Sequence, residues 1–210
     1  MSTPPAPGRV NSDTYVTATR AFFAPRAARW DARFPDDAPA FVRAVGDLSL
    51  HPGEMLLDLG CGTGRAFSAL RAAVGARGSV VGLDLTPEML DAAGSAARRS
   101  DAHLVLGDAR DLPFASGTFD AVFAAGLLPH LPNPEAGLRE LARVVRPDGQ
   151  LALFHPVGRA ALAARHGHAL RGDEPLDPRV LPELLECTGW TKIRIVDDAD
   201  RYLAVAQRFG

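Results

Sequence analysis

Short apolar runs alternate with amphipathic segments through most of the chain. Five of these runs have the length of a strand, and most are followed by apolar residues at helical spacing. The five predicted strands are residues 55–59, 79–84, 103–107, 120–125 and 150–155. Such alternation favours a parallel sheet that is covered by helices on both faces.

The pattern changes near the C-terminus. Asp177 and Pro178 are typical of a helix start, and two predicted strands, 192–196 and 201–207, follow with a four-residue link between the end of one and the start of the other. A link that short permits only an antiparallel hairpin. We therefore predict an α/β fold with a doubly wound sheet of seven strands, mostly parallel, that ends in an antiparallel C-terminal hairpin.

Residues 14–48 are predicted to be helical and amphipathic, with Phe41, Val45 and Leu48 on one face. Residues 1–13 form a Pro-rich stretch that we interpret as a disordered lead-in without a signal-peptide core. The helical segment is rich in aromatic residues, which either cover a ligand or only dock the segment on the core. They are Tyr15, Phe22, Phe23 and Trp30.

The composition limits the classes of function. The chain has 210 residues, 47% of them apolar, which suits one domain with a stable core. Its net charge of −2 offers no basic surface to nucleic acid or to an anionic membrane. There are two cysteines, Cys61 and Cys187, and no apolar run of bilayer length, so a protein of the reducing cytoplasm is expected.

A glycine-rich motif carries most of the functional information. The sequence Asp-Leu-Gly-Cys-Gly-Thr-Gly at 58–64 directly follows an apolar run, and Asp84 lies twenty residues past Gly64. Glycines at a strand end allow the backbone to approach a ligand, and the acidic residue at the next strand end can bind two ribose hydroxyls. The motif therefore indicates a site for a nucleoside cofactor.

The residues around the motif favour one cofactor over another. Asp58 precedes the first glycine by two residues, where a carboxylate suits a cationic group better than a pyrophosphate. The spacing is also G-x-G-x-G rather than G-x-G-x-x-G, and Asp108 adds an acceptor for an adenine amino group. These features favour S-adenosylmethionine over NAD.

Taken together, the motifs resemble those of class I S-adenosylmethionine-dependent methyltransferases, of the type that includes ubiquinone and menaquinone biosynthesis enzymes. The resemblance runs from about Trp30 to the C-terminus and implies a Rossmann-like fold. The matching stretches are LLDLGCGTGR at 56–65, VGLDLTPEML at 81–90, GDA at 107–109 with LPF at 112–114, FDAV at 119–122, and LREL at 138–141 with RVVRPDG at 143–149.

Two departures from the family pattern are visible. The turn Pro-Asp-Gly at 147–149 stands where the family often has two glycines, which is a minor variation. An Asn-Pro-Pro-Tyr motif is absent after the fourth predicted strand, where Gly-Leu-Leu-Pro-His stands at 126–130. Its absence argues against methylation of nucleic-acid bases or glutamine side chains.

The resemblance also implies a division of the chain and a set of binding residues. Residues 14–210 form a single methyltransferase domain, with a helical lid at 14–48, a cofactor-binding core at 49–155 and an acceptor-side segment with the hairpin at 156–210. Asp58 would bind the cofactor's ammonium, Asp84 its ribose and Asp108 its adenine. The full set for S-adenosylmethionine, or its product S-adenosylhomocysteine, is Tyr15, Trp30, Asp58, Leu59, Gly60, Cys61, Gly62, Gly64, Asp84, Leu85, Met89, Gly107, Asp108, Ala109 and Ala125.

The sequence says less about the acceptor. His130 and His155 follow the fourth and fifth predicted strands and are candidate general bases, although each is equally explained as a packed histidine. His166 and His168 lack a third metal ligand at a suitable spacing, so no metal is predicted. Three arginines between the fifth strand and the last helix either bind an acidic substrate or form a solvated face. They are Arg159, Arg165 and Arg171.

These observations favour a methyltransferase that acts on a small-molecule acceptor by in-line displacement. A non-catalytic protein that only binds the cofactor is the alternative, and an NAD-dependent oxidoreductase is disfavoured by Asp58 and by the terminal hairpin. Neither nucleic acid nor membrane is an expected partner. The chain is expected to be a monomer or a homodimer.

Overall fold

The computed structural model describes residues 12–34, 37–95 and 101–210. In these ranges seven strands form one sheet in the order β3-β2-β1-β4-β5-β7-β6. Strands β1 to β5 pair in parallel, and β7 lies antiparallel between β5 and β6. The strands are β1 Met55–Leu59, β2 Ser79–Asp84, β3 His103–Leu106, β4 Phe119–Ala125, β5 Val145–His155, β6 Trp190–Asp198 and β7 Arg201–Arg208.

Eight α-helices and short 3₁₀ segments accompany the strands in the described ranges. The predicted mostly parallel sheet with a C-terminal antiparallel hairpin is thus confirmed. None of the described helices is long and apolar enough to cross a membrane. The helices are α1 Ser12–Phe23, α2 Trp30–Arg33, α3 Ala38–Gly46, α4 Phe67–Val74, α5 Pro87–Gly94, α6 Pro134–Val144, α7 Arg159–Arg165 and α8 Leu181–Glu186.

The core consists of two apolar clusters, which alternate along the strands. In β1, Leu56 belongs to one cluster and Leu57 to the other, and in β5 Leu153 and Phe154 alternate in the same way. Successive strand residues point to opposite faces of a sheet, so each cluster fills the space between one face and its helices. The strands are buried on both sides, as a parallel sheet requires.

The N-terminal segment is helical but not one continuous helix. Helix α1 ends at Phe23, and a 3₁₀ segment with Pro25 in its first turn follows before α2. The predicted inner face of α3 is confirmed, since Phe41, Val45 and the following Leu48 are buried. Of the predicted lead-in at 1–13, residues 1–11 lie outside the described residues, and α1 already begins at Ser12.

Two predicted boundaries near the C-terminus were wrong. Strand β5 begins at Val145 because the predicted turn at 147–149 is absorbed as a bulge, with Asp148 at a φ of 61° and a register shift against β4. Helix α8 begins at Leu181 rather than near Asp177. The carboxylate of Asp177 accepts a hydrogen bond from the Arg179 amide (2.9 Å), and this local turn competes with a helix start.

The strand order places five strand ends together. The chain leaves β1 towards β2 and β3 on one side and returns to β4 and β5 on the other, so the order reverses beside β1. Ligands of open α/β sheets bind at such a reversal, beyond the carboxyl ends of the strands. At this edge lie Leu59, Asp84, Leu106, Ala125 and His155.

A side chain caps the N-terminus of helix α6. The side chain of Asn133 accepts a hydrogen bond from the Ala136 amide (3.0 Å) and caps the helix. We expect Asn133→Ala to lower the free energy of unfolding by about 1 kcal/mol, because an amide of the first turn loses its acceptor. Urea denaturation followed by circular dichroism measures the change. Asn133→Asp is the control and should remain close to wild type; an equal loss in both variants would contradict the capping role.

Candidate functional site

The glycine motif forms a tight turn at the carboxyl end of β1. The amides of Gly60 and Cys61 both donate to the carbonyl of Leu83 in β2, at 2.8 and 3.1 Å, and so tie the turn to the neighbouring strand. Gly60, Gly62 and Gly64 all have positive φ angles of 53–78°, which a side chain would strain. The turn thus presents bare backbone at the sheet edge.

Asp84 connects this turn to the end of β2. Its two carboxylate oxygens accept hydrogen bonds from the Gly62 amide (2.9 Å) and the Thr86 amide (2.8 Å). Burial raises the pKa of Asp84, while these amide bonds oppose the rise. Each oxygen retains acceptor capacity beyond its one amide, as binding of two vicinal hydroxyls requires.

Asp58 lies deeper at the same edge, in β1. It is 1% exposed, and within the described part of the chain its Oδ1 atom has no hydrogen-bond partner. Burial, and to a lesser extent the charge of Asp84, raises the pKa of Asp58 to about 8. A buried acceptor without a donor is costly, so this position suits a ligand that brings a cationic donor.

Asp108 follows β3 and is paired with a residue that the sequence reasoning missed. The guanidinium of Arg110 donates to both oxygens of Asp108, with the shortest distance at 2.6 Å. The same guanidinium lies 4.4 Å from the centre of the Tyr15 ring. These contacts lower the pKa of Asp108, although burial acts in the opposite direction and is the largest single influence. Arg110 thus links the lid residue Tyr15 to the predicted adenine acceptor.

The N-terminal segment is fastened across the sheet edge by polar contacts. In α1, Arg20 donates to the carbonyl of Leu85, just beyond β2 (2.9 Å). At the glycine turn, the Thr63 hydroxyl bonds Asp31 (2.6 Å) and Arg65 pairs with Asp37 (3.0 Å). These contacts extend over the ends of both β1 and β2. They favour the covering role of the segment over simple docking on the core.

His130 and His155 come close to each other on the β4–β5 side. Burial lowers the pKa of each, and the nearby charge of His155 lowers that of His130 further. The ring of Phe23 packs against His130 edge to face at 5.4 Å. The Nδ1 atom of His155 lies 2.8 Å from the Val157 carbonyl and 3.1 Å from the Val157 amide. It donates to the carbonyl in one tautomer, which leaves Nε2 as an acceptor, and accepts from the amide in the other.

The carboxyl edge therefore combines a bare glycine turn, a buried and a partly buried carboxylate at adjacent strand ends, and a helical segment attached to it. Residues 57–153 match the model of a methyltransferase domain family. This part of the chain is therefore a methyltransferase domain of the class I S-adenosylmethionine-dependent type.

Named relatives agree with this assignment. Malonyl-[acyl-carrier protein] O-methyltransferase of Serratia marcescens is 37% identical over 152 residues, which are 72% of this chain and 57% of that protein. Demethylmenaquinone methyltransferase of Lactobacillus johnsonii is 37% identical over 111 residues, 51% of this chain and 46% of that protein. The chain thus spans about half the length of these curated relatives.

A solved structure shows the same fold. A chain of the Haloferax volcanii complex between the Trm112 methyltransferase activator and a methyltransferase superposes with a TM-score of 0.77. The two chains are 22% identical, and the match covers 91% of this chain and 97% of that one.

Other residues of the predicted cofactor-binding set lie at or near the glycine turn. Met89 of α5 is buried, and its sulfur lies 3.9 Å from the position that a Cβ atom on Gly62 would occupy. Cys61 is buried beside it, and desolvation raises the pKa of its thiol, which therefore stays protonated and is no nucleophile. The other predicted members lie at the strand ends or just beyond them: Leu59, Leu85, Gly107, Ala109 and Ala125.

Trp30 has a different setting from Tyr15. Its ring contacts Phe23 (5.8 Å) and Phe34 (5.3 Å), so it belongs to an aromatic group within the N-terminal segment. A role for Trp30 in cofactor binding stays a prediction. The sequence carried no sign of the fastening contacts, because Arg110, Thr63 and Arg65 find their partners only through the fold.

The pKa of Asp58 predicts how stability and binding depend on pH. Its ordinary value is 3.8 and its folded value is about 8, so between these values the folded chain holds more protons than the unfolded chain. Stability of the ligand-free protein should therefore fall as the pH rises through this window. Affinity for S-adenosylhomocysteine should rise as the pH approaches 8, because the ligand's ammonium binds the ionised carboxylate.

Calorimetry at several pH values measures both trends. In Asp58→Asn the pH dependence of stability should flatten, and affinity should fall roughly tenfold or more, since a charge-assisted hydrogen bond is lost. Glu54→Gln is a matched control that removes a carboxylate before β1, away from the carboxyl edge. Affinity that stays independent of pH in the wild type would contradict this role of Asp58.

Proposed function

We propose that this chain transfers a methyl group from S-adenosylmethionine to a small-molecule acceptor by in-line displacement. The observation that carries the proposal is the pair of carboxylates at the ends of adjacent strands beside the glycine turn, the buried Asp58 and the partly buried Asp84. Asp58 offers an unsatisfied acceptor to an ammonium, and Asp84 offers two oxygens to the ribose hydroxyls. A pyrophosphate would be repelled by the same carboxylates.

The chain's own residues position the reaction. Bound S-adenosylmethionine supplies a methyl group that is already activated by a sulfonium. The turn at 60–64 allows the cofactor to approach the backbone closely. Asp58 holds the ammonium of the cofactor's amino acid portion, and Asp84 holds its ribose. The N-terminal segment, attached at the glycine turn and beyond β2, excludes water. Orientation of this kind contributes up to about 7–11 kcal/mol to a rate acceleration.

His130 and His155 are the proposed general bases. Both have lowered pKa values, so both are neutral near pH 7 and able to accept a proton. His155 is the stronger candidate, because the contacts of its Nδ1 atom with Val157 orient the ring, and in the tautomer that donates to the Val157 carbonyl Nε2 is the acceptor.

Other features support a small acceptor. A net charge of −2 is unfavourable for binding nucleic acid, and the demethylmenaquinone relative is named for a small molecule. A monomer or homodimer stays the expectation for assembly. The remaining proposed binding residues are the glycine-turn and strand-end residues described above, with Asp108 at the adenine.

Asp84→Asn tests the cofactor site. The folded structure should survive, because the amide oxygen still accepts one backbone hydrogen bond, but affinity for S-adenosylmethionine should fall about tenfold or more. Calorimetric titration with S-adenosylmethionine, S-adenosylhomocysteine and NADH measures it. Asp148→Asn, in the bulge of β5, is the control. Binding of NADH alone, or unchanged affinity in Asp84→Asn, would refute the assignment.

His155→Gln tests catalysis separately from binding. With an acceptor found by screening for S-adenosylhomocysteine release, kcat should fall about 10²–10⁴-fold if the acceptor must lose a proton. Cofactor affinity should not change. A chain that binds the cofactor but releases no product with any acceptor would instead be the non-catalytic alternative.

A further inference from the structure

The three arginines that the sequence left undecided have different surroundings in the structure. Arg171 is exposed and pairs with Asp173 (2.9 Å), as on a solvated face. Arg159 is 8% exposed and is neutralised by three carboxylates at 3.1–3.6 Å. Those carboxylates belong to Glu174, Asp177 and Asp197. Neither side chain is available to an acidic ligand.

Arg165 is also exposed, but it lines an open cavity of about 460 Å³ at the surface. The cavity lies between α3, the loop after β5, the end of α7 and the turn between β6 and β7. Its volume is in the range of small-molecule sites. Its wall is partly apolar and partly charged. The apolar residues are Pro39, Ala40, Pro156, Val157 and Ala199, and the charged ones are Asp37, Arg43, Arg165 and Asp200.

Among the described residues, the charges in this cavity leave Arg165 without a carboxylate counterion. The two carboxylates of the wall are already paired, Asp37 with Arg65 (3.0 Å) and Asp200 with Arg43 (3.7 Å). In the part of the chain that the structure describes, no carboxylate lies within 4.0 Å of the Arg165 guanidinium. One guanidinium without a partner matches a ligand with a single negative charge.

The cavity adjoins the proposed catalytic histidine. Its wall begins at Pro156, the residue directly after His155, and includes Val157, whose carbonyl contacts the His155 ring. Arg165 also lies close enough to His155 to lower the pKa of that imidazole, while Asp37 acts in the opposite direction. A ligand in the cavity would therefore extend from Arg165 towards the reacting side of the sheet edge.

We propose that the cavity binds the acceptor, that the acceptor is a small carboxylic acid, and that Arg165 determines this specificity by binding its carboxylate. The identification of the cavity as the acceptor site rests on the proposed methyl transfer. The binding of an acid in the cavity can be measured without turnover. The apolar residues of the wall hold the body of the molecule, and the guanidinium donates two parallel hydrogen bonds to the carboxylate.

Fluorine NMR with matched acid and amide probes tests the proposal. The probes are 4-fluorobenzoate with 4-fluorobenzamide, and 3,3,3-trifluoropropionate with its amide, each titrated with and without S-adenosylhomocysteine. We expect at least one acid to bind about tenfold or more tightly than its amide, because only the acid forms a charged pair. Arg165→Ala should abolish this preference, and the control Arg171→Ala should retain it.

Three results would overturn the proposal. The first is that neither acid binds, and the second is that acids and amides bind equally. The third is that the preference for acids does not depend on Arg165, because it survives in Arg165→Ala or is lost equally in Arg171→Ala. Calorimetry with S-adenosylhomocysteine on the same samples reports on the cofactor site independently. Cofactor binding without acid binding would reject only the acid specificity, whereas acid binding without cofactor binding would reject only the proposed methyl transfer.

Discussion

The hydrogen bonds of the Asp84 carboxylate hold the functional edge of this fold together. One oxygen accepts from the glycine turn after β1 and the other from the start of α5, so two adjacent strand ends are fixed to each other. Burial beside Asp58 raises the pKa of both carboxylates. Asp58 is thus poorly satisfied by the described protein groups, whereas Asp84 already accepts two amide hydrogen bonds. The proposed cationic, hydroxyl-bearing ligand would supply further donors to both.

The N-terminal segment depends on that edge. Its fastening contacts reach the glycine turn through Asp31 and Asp37, and the end of β2 through Arg20. Tyr15 adds a further contact, because it packs under the guanidinium that is bound to Asp108. The part of the segment before α3 is therefore attached to the edge by polar contacts, which open at lower cost than a hydrophobic core does. Helix α3 is held differently, by the buried Phe41 and Val45.

The acceptor side is constructed differently from the cofactor side. The cofactor edge is formed by regular strand ends, whereas the cavity beside His155 is formed by a helix of the cover, a loop and a hairpin turn. Loops and turns tolerate change more easily than strand ends do. A common cofactor site can therefore be combined with acceptor sites of different chemistry. Arg165, which has no carboxylate partner among the described residues, is such a local feature.

The sequence by itself determined the mostly parallel sheet with its terminal hairpin and the three carboxylates at the strand ends, because hydrophobic periodicity and the glycine turn are local signals. The strand order, with its reversal beside β1, came from the structure. The sequence could not place the start of α8, where the side chain of Asp177 bonds the backbone two residues on. Nor could it pair Arg110 with Tyr15 or distinguish Arg165 from Arg159 and Arg171. Only the tertiary structure decided these, because the pairing of a charged side chain depends on which distant residues the fold brings within hydrogen-bond distance.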